Sequence, residues 1–198
     1  MMRFIAILLG GIVAMAVVAG LVFISGYNRL VSLDQEIEAS WAQVENQYQR
    51  RANLIPNLVE TVKGYAEKEQ AIFTGIAESR AKIGSAQTRP ERMQAETELG
   101  GFLSRLLMIT ENYPQLKASE GFQTLQAQLE GTENRIATER QRYIQAVKEY
   151  NIQVRRFPSN FIAGMAGFTP KETFEASEQD KQVPKVDFGT SAPQPQSP

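Results

Sequence analysis

The sequence predicts an all-α protein: a single N-terminal transmembrane helix followed by an elongated antiparallel helical bundle of three or four long helices. Three observations carry that expectation. Residues 4–24 are 21 consecutive uncharged, mostly aliphatic positions. Downstream, apolar residues recur in alternating steps of three and four, the period of a helix with one buried face. Strand signals are absent from the same region.

The first element is the anchor, residues 4–24. At 1.5 Å rise per residue it reaches about 31 Å, which matches a hydrocarbon core of about 30 Å. Arg3 stands before it and Tyr27 and Arg29 after it, as interfacial residues flank a spanning helix. A cleaved signal has a shorter apolar core and a small-residue cleavage site; here Ala19-Gly20 is followed by more apolar residues. Cysteine is absent, so a lipoprotein anchor is excluded. Ala6, Gly10 and Ala14 recur every four residues, a spacing that lets membrane helices approach closely. The positive N-terminus is expected to stay inside. That makes the chain a single-pass membrane protein with the helical domain outside.

The bundle is expected over residues 27–168. From Ile37 the apolar positions run Ile37, Trp41, Val44, Tyr48, Ile55, Leu58, Val62, Tyr65, Ile72 and Ile76, with Arg51 filling the place between Tyr48 and Ile55. The register passes through Pro56 without a phase shift. It therefore predicts one long helix kinked at Pro56, with small Ala52 easing the proline clash; two helices broken around Asn53 are the alternative. Residues 84–90 read as a connection, with Pro90 suited to a first helical turn. A second helix follows to about Asn112, apolar at Leu99, Phe102, Leu103, Leu106 and Ile109. Its Gly100-Gly101 pair costs about 1 kcal/mol per glycine relative to alanine. Tyr113-Pro114 ends or bends it. The last helix, residues 119–156, reaches about 57 Å on the register Phe122, Leu125, Leu129, Ile136, Tyr143, Val147, Tyr150, Val154. Residues 160–168 are apolar and glycine-containing and are expected to pack back on one end of the bundle. Residues 169–198 read as an extended to disordered tail, with 183–188 lying along the domain.

Composition excludes much chemistry. There is no histidine and no cysteine, which removes histidine acid–base catalysis, the Ser-His-Asp triad and thiolate nucleophiles or metal sites. No P-loop, Gly-rich dinucleotide turn or nucleophile elbow occurs. Setting Arg3 aside, 20 basic residues face 22 acidic ones; a near-neutral soluble part without charge runs does not indicate a nucleic-acid partner. No cofactor or metal site and no enzymatic activity are expected. Glu96/Glu98 and Glu67/Glu69 are two apart and do not share a helix face, whereas Glu130 and Glu133 do; the plain reading of all of them is a solvated charged surface. Trp41 falls on the apolar register and reads as core. The unusual segment holds Arg50, Arg51, Asn53, Pro56 and Asn57. There Arg51 intrudes on the apolar stripe beside a proline that frees a carbonyl. Structurally, Arg51 or Asn53 would bind loosened carbonyls; functionally, the segment would contact an acidic partner.

Several motifs, in order, resemble one family. They are Tyr27-Asn28-Arg29-Leu30-Val31, Trp41-Ala42-Gln43-Val44, RRANLIPNLVETVKGYAEKE at residues 50–69, Tyr113-Pro114-Gln115-Leu116-Lys117-Ala118, Thr132-Glu133-Asn134-Arg135-Ile136-Ala137 and Arg156-Phe157-Pro158-Ser159-Asn160. Together, from the anchor to Phe188, they look like the LemA family. The resemblance implies a bacterial membrane protein with one N-terminal span and a helical bundle, no established enzymatic activity, and company with membrane proteases or other envelope proteins; with the orientation above, it is expected in the bacterial cytoplasmic (inner) membrane with the helical domain on the periplasmic or extracellular side. This chain departs from the family pattern at Lys68, where members commonly carry histidine, at Asn53, where aspartate is usual, and at Ile144, where asparagine is usual. A histidine–glutamate metal pair therefore does not apply here. The leading expectation is a membrane-anchored, non-enzymatic scaffold or adaptor of the envelope. It would act by homo-oligomerisation, by binding a membrane protease or other envelope protein, or both, with the lipid bilayer as its constant partner. The alternatives are a single-span signal-transducing subunit and, third, a hydrolase using carboxylates and a hard metal ion.

Overall fold

A computed structural model of the chain describes residues 2–66 and 68–172. Six α-helices account for most of it: α1 (Met2–Lys63), α2 (Gln70–Ser85), α3 (Arg89–Ile109), α4 (Pro114–Lys117), α5 (Glu120–Arg155) and α6 (Ser159–Ala166), with a 3-10 turn at Thr110–Asn112. No strand occurs among the described residues. The tail expected beyond residue 172, including 183–188, lies outside them.

The anchor and the first bundle helix are one element. α1 has 62 residues, about 93 Å at 1.5 Å per residue, and is the one helix long and apolar enough to cross a membrane among the described residues. It runs through Pro56 without interruption. Pro56 and Ala52 are both on the exposed side, so the carbonyl the proline leaves unbonded faces solvent, where it costs least. The buried stripe of α1 begins earlier than the apolar pattern predicted, at Leu30 and Leu33, and ends at Val62. The continuation through Tyr65 is a correction: Tyr65 is exposed and Ala66 is buried instead. Gly64 breaks the helix, the Tyr65 and Ala66 amides both turn back to the Val62 carbonyl, and α2 begins a new phase carrying Ile72 and Ile76.

α5 lies antiparallel to α1 along the whole bundle. One core cluster joins Leu30 to Tyr48 of α1 with Ile136 to Val154 of α5; the other joins Ile55 to Val62 with Phe122 and Leu129. The α2–α3 hairpin supplies Ile76, Leu99, Leu103 and Leu106 to the second cluster, and the start of α3 reaches back to the first through Met93. α3 starts with a capping box: the Thr88 hydroxyl accepts from the Glu91 amide, and Glu91 accepts from the Thr88 amide. Pro90 sits in that first turn, where its missing N–H costs nothing. α2 comes close enough to α3 that a Cβ at Gly75 would run into the Phe102 ring.

α6 packs back on the end nearest the span. Ile162 and Ala163 join the first cluster, and α6 stops at Gly167, whose φ of 79° suits a residue without Cβ. The chain then returns along the bundle. The Phe168 ring lies 5.8 Å from that of Tyr27, tilted by 58°, Tyr150 Oη donates to the Thr169 carbonyl at 3.1 Å, and Asn151 holds both the amide and the carbonyl of Lys171 at 2.8 Å. The Lys171 ammonium bonds Asp34 on α1.

Candidate functional site

The place in the apolar register that Arg51 fills lies between the two core clusters. Tyr48 and Met93 close one cluster, Ile55 and Leu99 open the next, and Arg51 stands in the layer between at 2% exposure. Two acids meet it from the other long helices. Arg51 Nη2 donates to Glu96 Oε2 on α3 and to the Glu96 carbonyl at 2.8 Å; Nη1 donates to Glu133 Oε1 on α5 at 2.7 Å. The guanidinium fork thus ties α1, α3 and α5 together at one level. Its face lies 5.6 Å from the centre of the Tyr48 ring.

Electrostatics follows from that enclosure. Burial works against charge on Arg51, but Glu133 and Glu96 outweigh it and hold the guanidinium above its ordinary pKa. The two acids are not alike: the Glu96 side chain is 5% exposed, that of Glu133 38%. One is locked in the layer and the other sits at its rim. Burial also pushes the Tyr48 hydroxyl up to about 12, and that hydroxyl has no hydrogen-bond partner among the described residues. Gly100 borders the layer, where a Cβ would come into van der Waals contact with Arg51 Nη1 at 3.4 Å, whereas Gly101 faces open space.

The five residues singled out from sequence are not gathered into one site. Arg51 points inward; Arg50, Asn53, Pro56 and Asn57 are exposed. The carbonyl that Arg51 binds belongs to Glu96 on α3 and not to the helix loosened by Pro56. Glu96 and Glu133, read as solvated charges, are the residues that sequence reasoning missed. The signal for Glu96 was present: extending the α3 register back from Leu99 to Met93 puts an acid in the stripe, matching the arginine in the stripe of α1. Glu133 lies beside the register position of buried Thr132 and carried no such mark. Trp41 is core, 5.2 Å from the Tyr143 ring, with the Arg89 guanidinium 5.3 Å from its own.

No group of three or more acidic, histidine or cysteine side chains is placed to hold a metal ion among the described residues. What the arrangement can do is fix register. A buried ion pair adds little net stability over an apolar layer, but a slipped helix would strand a charge. Flanking pairs Arg89–Glu38 at 2.5 Å and Arg92–Glu45 at 3.2 Å align α3 with α1 in the same sense at the surface, where each is worth at most about 1 kcal/mol.

Comparison with known proteins places these features in a family. A profile described as the LemA family matches residues 40–188, which include Arg51, Glu96 and Glu133. Magnetosome protein MamQ 2 of Paramagnetospirillum magneticum is 28% identical over 175 residues, covering 75% of this chain and 64% of that protein. Magnetosome protein MamQ of Magnetospirillum gryphiswaldense is 26% identical over 174 residues with the same coverage, so the match spans under two thirds of these relatives' length. Protein LemA of Metamycoplasma hominis is 21% identical over 171 residues, 86% of this chain and 76% of that protein. On the family match over three quarters of its length, and on the all-helical bundle that carries it, the chain belongs to the LemA family.

Proposed function

We propose that this protein is a membrane-anchored, non-enzymatic scaffold or adaptor of the bacterial envelope, acting by self-assembly, by binding an envelope protein such as a membrane protease, or both. The observation that carries this reading is the unbroken α1. Apolar span and bundle core belong to one helix, so the bundle is a rod stiffly joined to its anchor. From Ser25 to Lys63 that rod stands about 58 Å long. Anchoring raises the effective concentration of copies in the membrane, and a rod in fixed register offers each copy the same face.

The bundle is placed on the periplasmic or extracellular side of the cytoplasmic membrane, following the positive N-terminus. Because the chain has no cysteine, a single Ala127→Cys substitution reports the side directly: modification of intact cells by an impermeant maleimide is expected. Labelling that needs lysis would reverse the orientation.

The test of function is crosslinking in intact cells, with capture through a C-terminal tag and mass spectrometry. Self-capture, or one envelope protein in constant ratio, is the expected result. A monomer in detergent at micromolar concentration that captures neither would defeat the scaffold reading. The same unbroken helix also favours a second reading, a signal-transducing subunit in which rotation of the bundle turns the span. That reading requires a ligand that shifts two states, and a crosslink between spans that changes with the bundle's occupancy would support it.

A further inference from the structure

The end of the bundle nearest the span carries apolar side chains that the core does not use. α6 buries Ile162 and Ala163 and turns Phe161 and Met165 outward, 65% and 79% exposed; Phe157, just before it, is 73% exposed. Phe161 and Met165 are four apart on α6 and so share one face; Phe157 lies in the turn before the helix, and its ring meets that of Phe161 edge to face at 6.0 Å. Three such residues on one eight-residue helix and its approach are not a random scatter.

The height of this face is set by α1. Ile162 packs on Gly26, where a Cβ would run into its Cδ1. With the span near the membrane normal, Gly26 lies about 3 Å beyond Ile24, inside an interfacial layer about 5–8 Å thick on each side of the hydrocarbon. α5 runs toward the same level, because Val154 shares the cluster of Leu30 and the chain descends through Arg155 and Arg156 into Phe157. Arg29, Arg155 and Arg156 are exposed, and none makes an ion pair among the described residues.

From this we infer that α6 is a second membrane-contacting element. In this assignment Phe157, Phe161 and Met165 lie in the interfacial layer of the bilayer that α1 crosses, and Arg29, Arg155 and Arg156 bind anionic lipid headgroups. The bilayer is the occupant because the patch continues the apolar surface of the span, and aromatic and basic side chains at this depth are what an interfacial helix uses. A two-point contact would set the tilt of the rod, which one spanning helix leaves free. The inference rests on α1 crossing a bilayer.

The test uses the full chain in vesicles of mixed phosphatidylcholine and phosphatidylglycerol. Met165→Cys and, as a control far up α5, Ala127→Cys each carry a fluorophore; lipids spin-labelled at the headgroup and upper acyl chain act as quenchers. Quenching several-fold stronger at position 165 than at 127 is expected, falling when Arg155→Gln and Arg156→Gln are added. Equal quenching at the two positions in chains that float with the vesicles overturns the inference while leaving the anchor intact. Failure to float takes down both. Shielding of position 165 that persists in detergent and grows with protein concentration identifies a second copy as the occupant and also overturns it. Quenching that is the same in pure phosphatidylcholine and indifferent to the arginine substitutions overturns the headgroup assignment.

Discussion

Replacing Arg51 by methionine tests the polar layer most directly. Methionine is close to the arginine stem in length, so little cavity is left; what is removed is the charge. Glu96 is then held at 5% side-chain exposure with no cation to bond, and stranding one member of a buried pair costs about 3–5 kcal/mol. The Glu133 contact adds little, because its side chain is 38% exposed and turns into solvent at a cost below about 1 kcal/mol. The bond to the Glu96 carbonyl contributes about 1 kcal/mol and falls within the same range. For a bundle of this size 1 kcal/mol is worth about 3–4 °C, so Arg51→Met is expected to lower the melting temperature by about 9–20 °C. Circular dichroism of the full chain in detergent follows it, with exposed Arg50→Met as the control at about 0.5 kcal/mol or less. The double variant Arg51→Met/Glu96→Leu removes the stranded charge and should return to within about 1 kcal/mol of the parent. If Arg51→Met melts with Arg50→Met, the layer does not constrain the fold as argued. If the double variant is as weak as the single one, burial of a lone carboxylate is not the reason.

Three further outcomes follow from the same geometry. Tyr48 is buried with an unpartnered hydroxyl, so Tyr48→Phe should be neutral to stabilising by about 1 kcal/mol at pH 7. The Tyr48 pKa is raised in the folded state to about 12 from 10.0. Ionisation of the unfolded tyrosine therefore lowers stability only above pH 10, by about 2–3 kcal/mol in all as pH rises to 12; melting of the parent should fall more steeply over that window than that of Tyr48→Phe. Gly101→Ala, into open space, should gain about 0.5–1 kcal/mol of helix propensity, and Gly100→Ala, whose Cβ meets Arg51 Nη1 at ordinary contact distance, should gain a similar amount. A Cβ at Gly75 meets the Phe102 ring, so Gly75→Ala should cost about 1–3 kcal/mol; amide exchange should quicken in α2 and α3 before α5.

The helices were legible because their causes are local. A three–four apolar period, Pro90 suited to a first helical turn, and Ser119 and Arg156 at the ends of the last long helix are statements about neighbours in sequence, and they placed α3 and α5 to within about a turn. The extension through Tyr65 failed because a glycine break can preserve apparent periodicity across a change of helix. The site was only half legible. Arg51 showed itself as a charge in an apolar register, a conflict visible in one segment. Its partners did not, because Glu96 and Glu133 lie 45 and 82 residues away and sit in helix faces that otherwise read as solvated.

By itself, then, the sequence determined an apolar span, an all-helical bundle, the absence of histidine and cysteine chemistry, and the family. Each rests on composition or on contacts between residues a turn apart. Only the tertiary structure decided that span and bundle share one helix, that Arg51 is answered by Glu96 and Glu133, and that α6 rests against Gly26 at the mouth of the span. Those depend on the rotation and stagger of helices about one another. That choice is made by packing large side chains against Gly75 and Gly26 and by the cost of burying an unpaired charge, neither of which is written in any single segment.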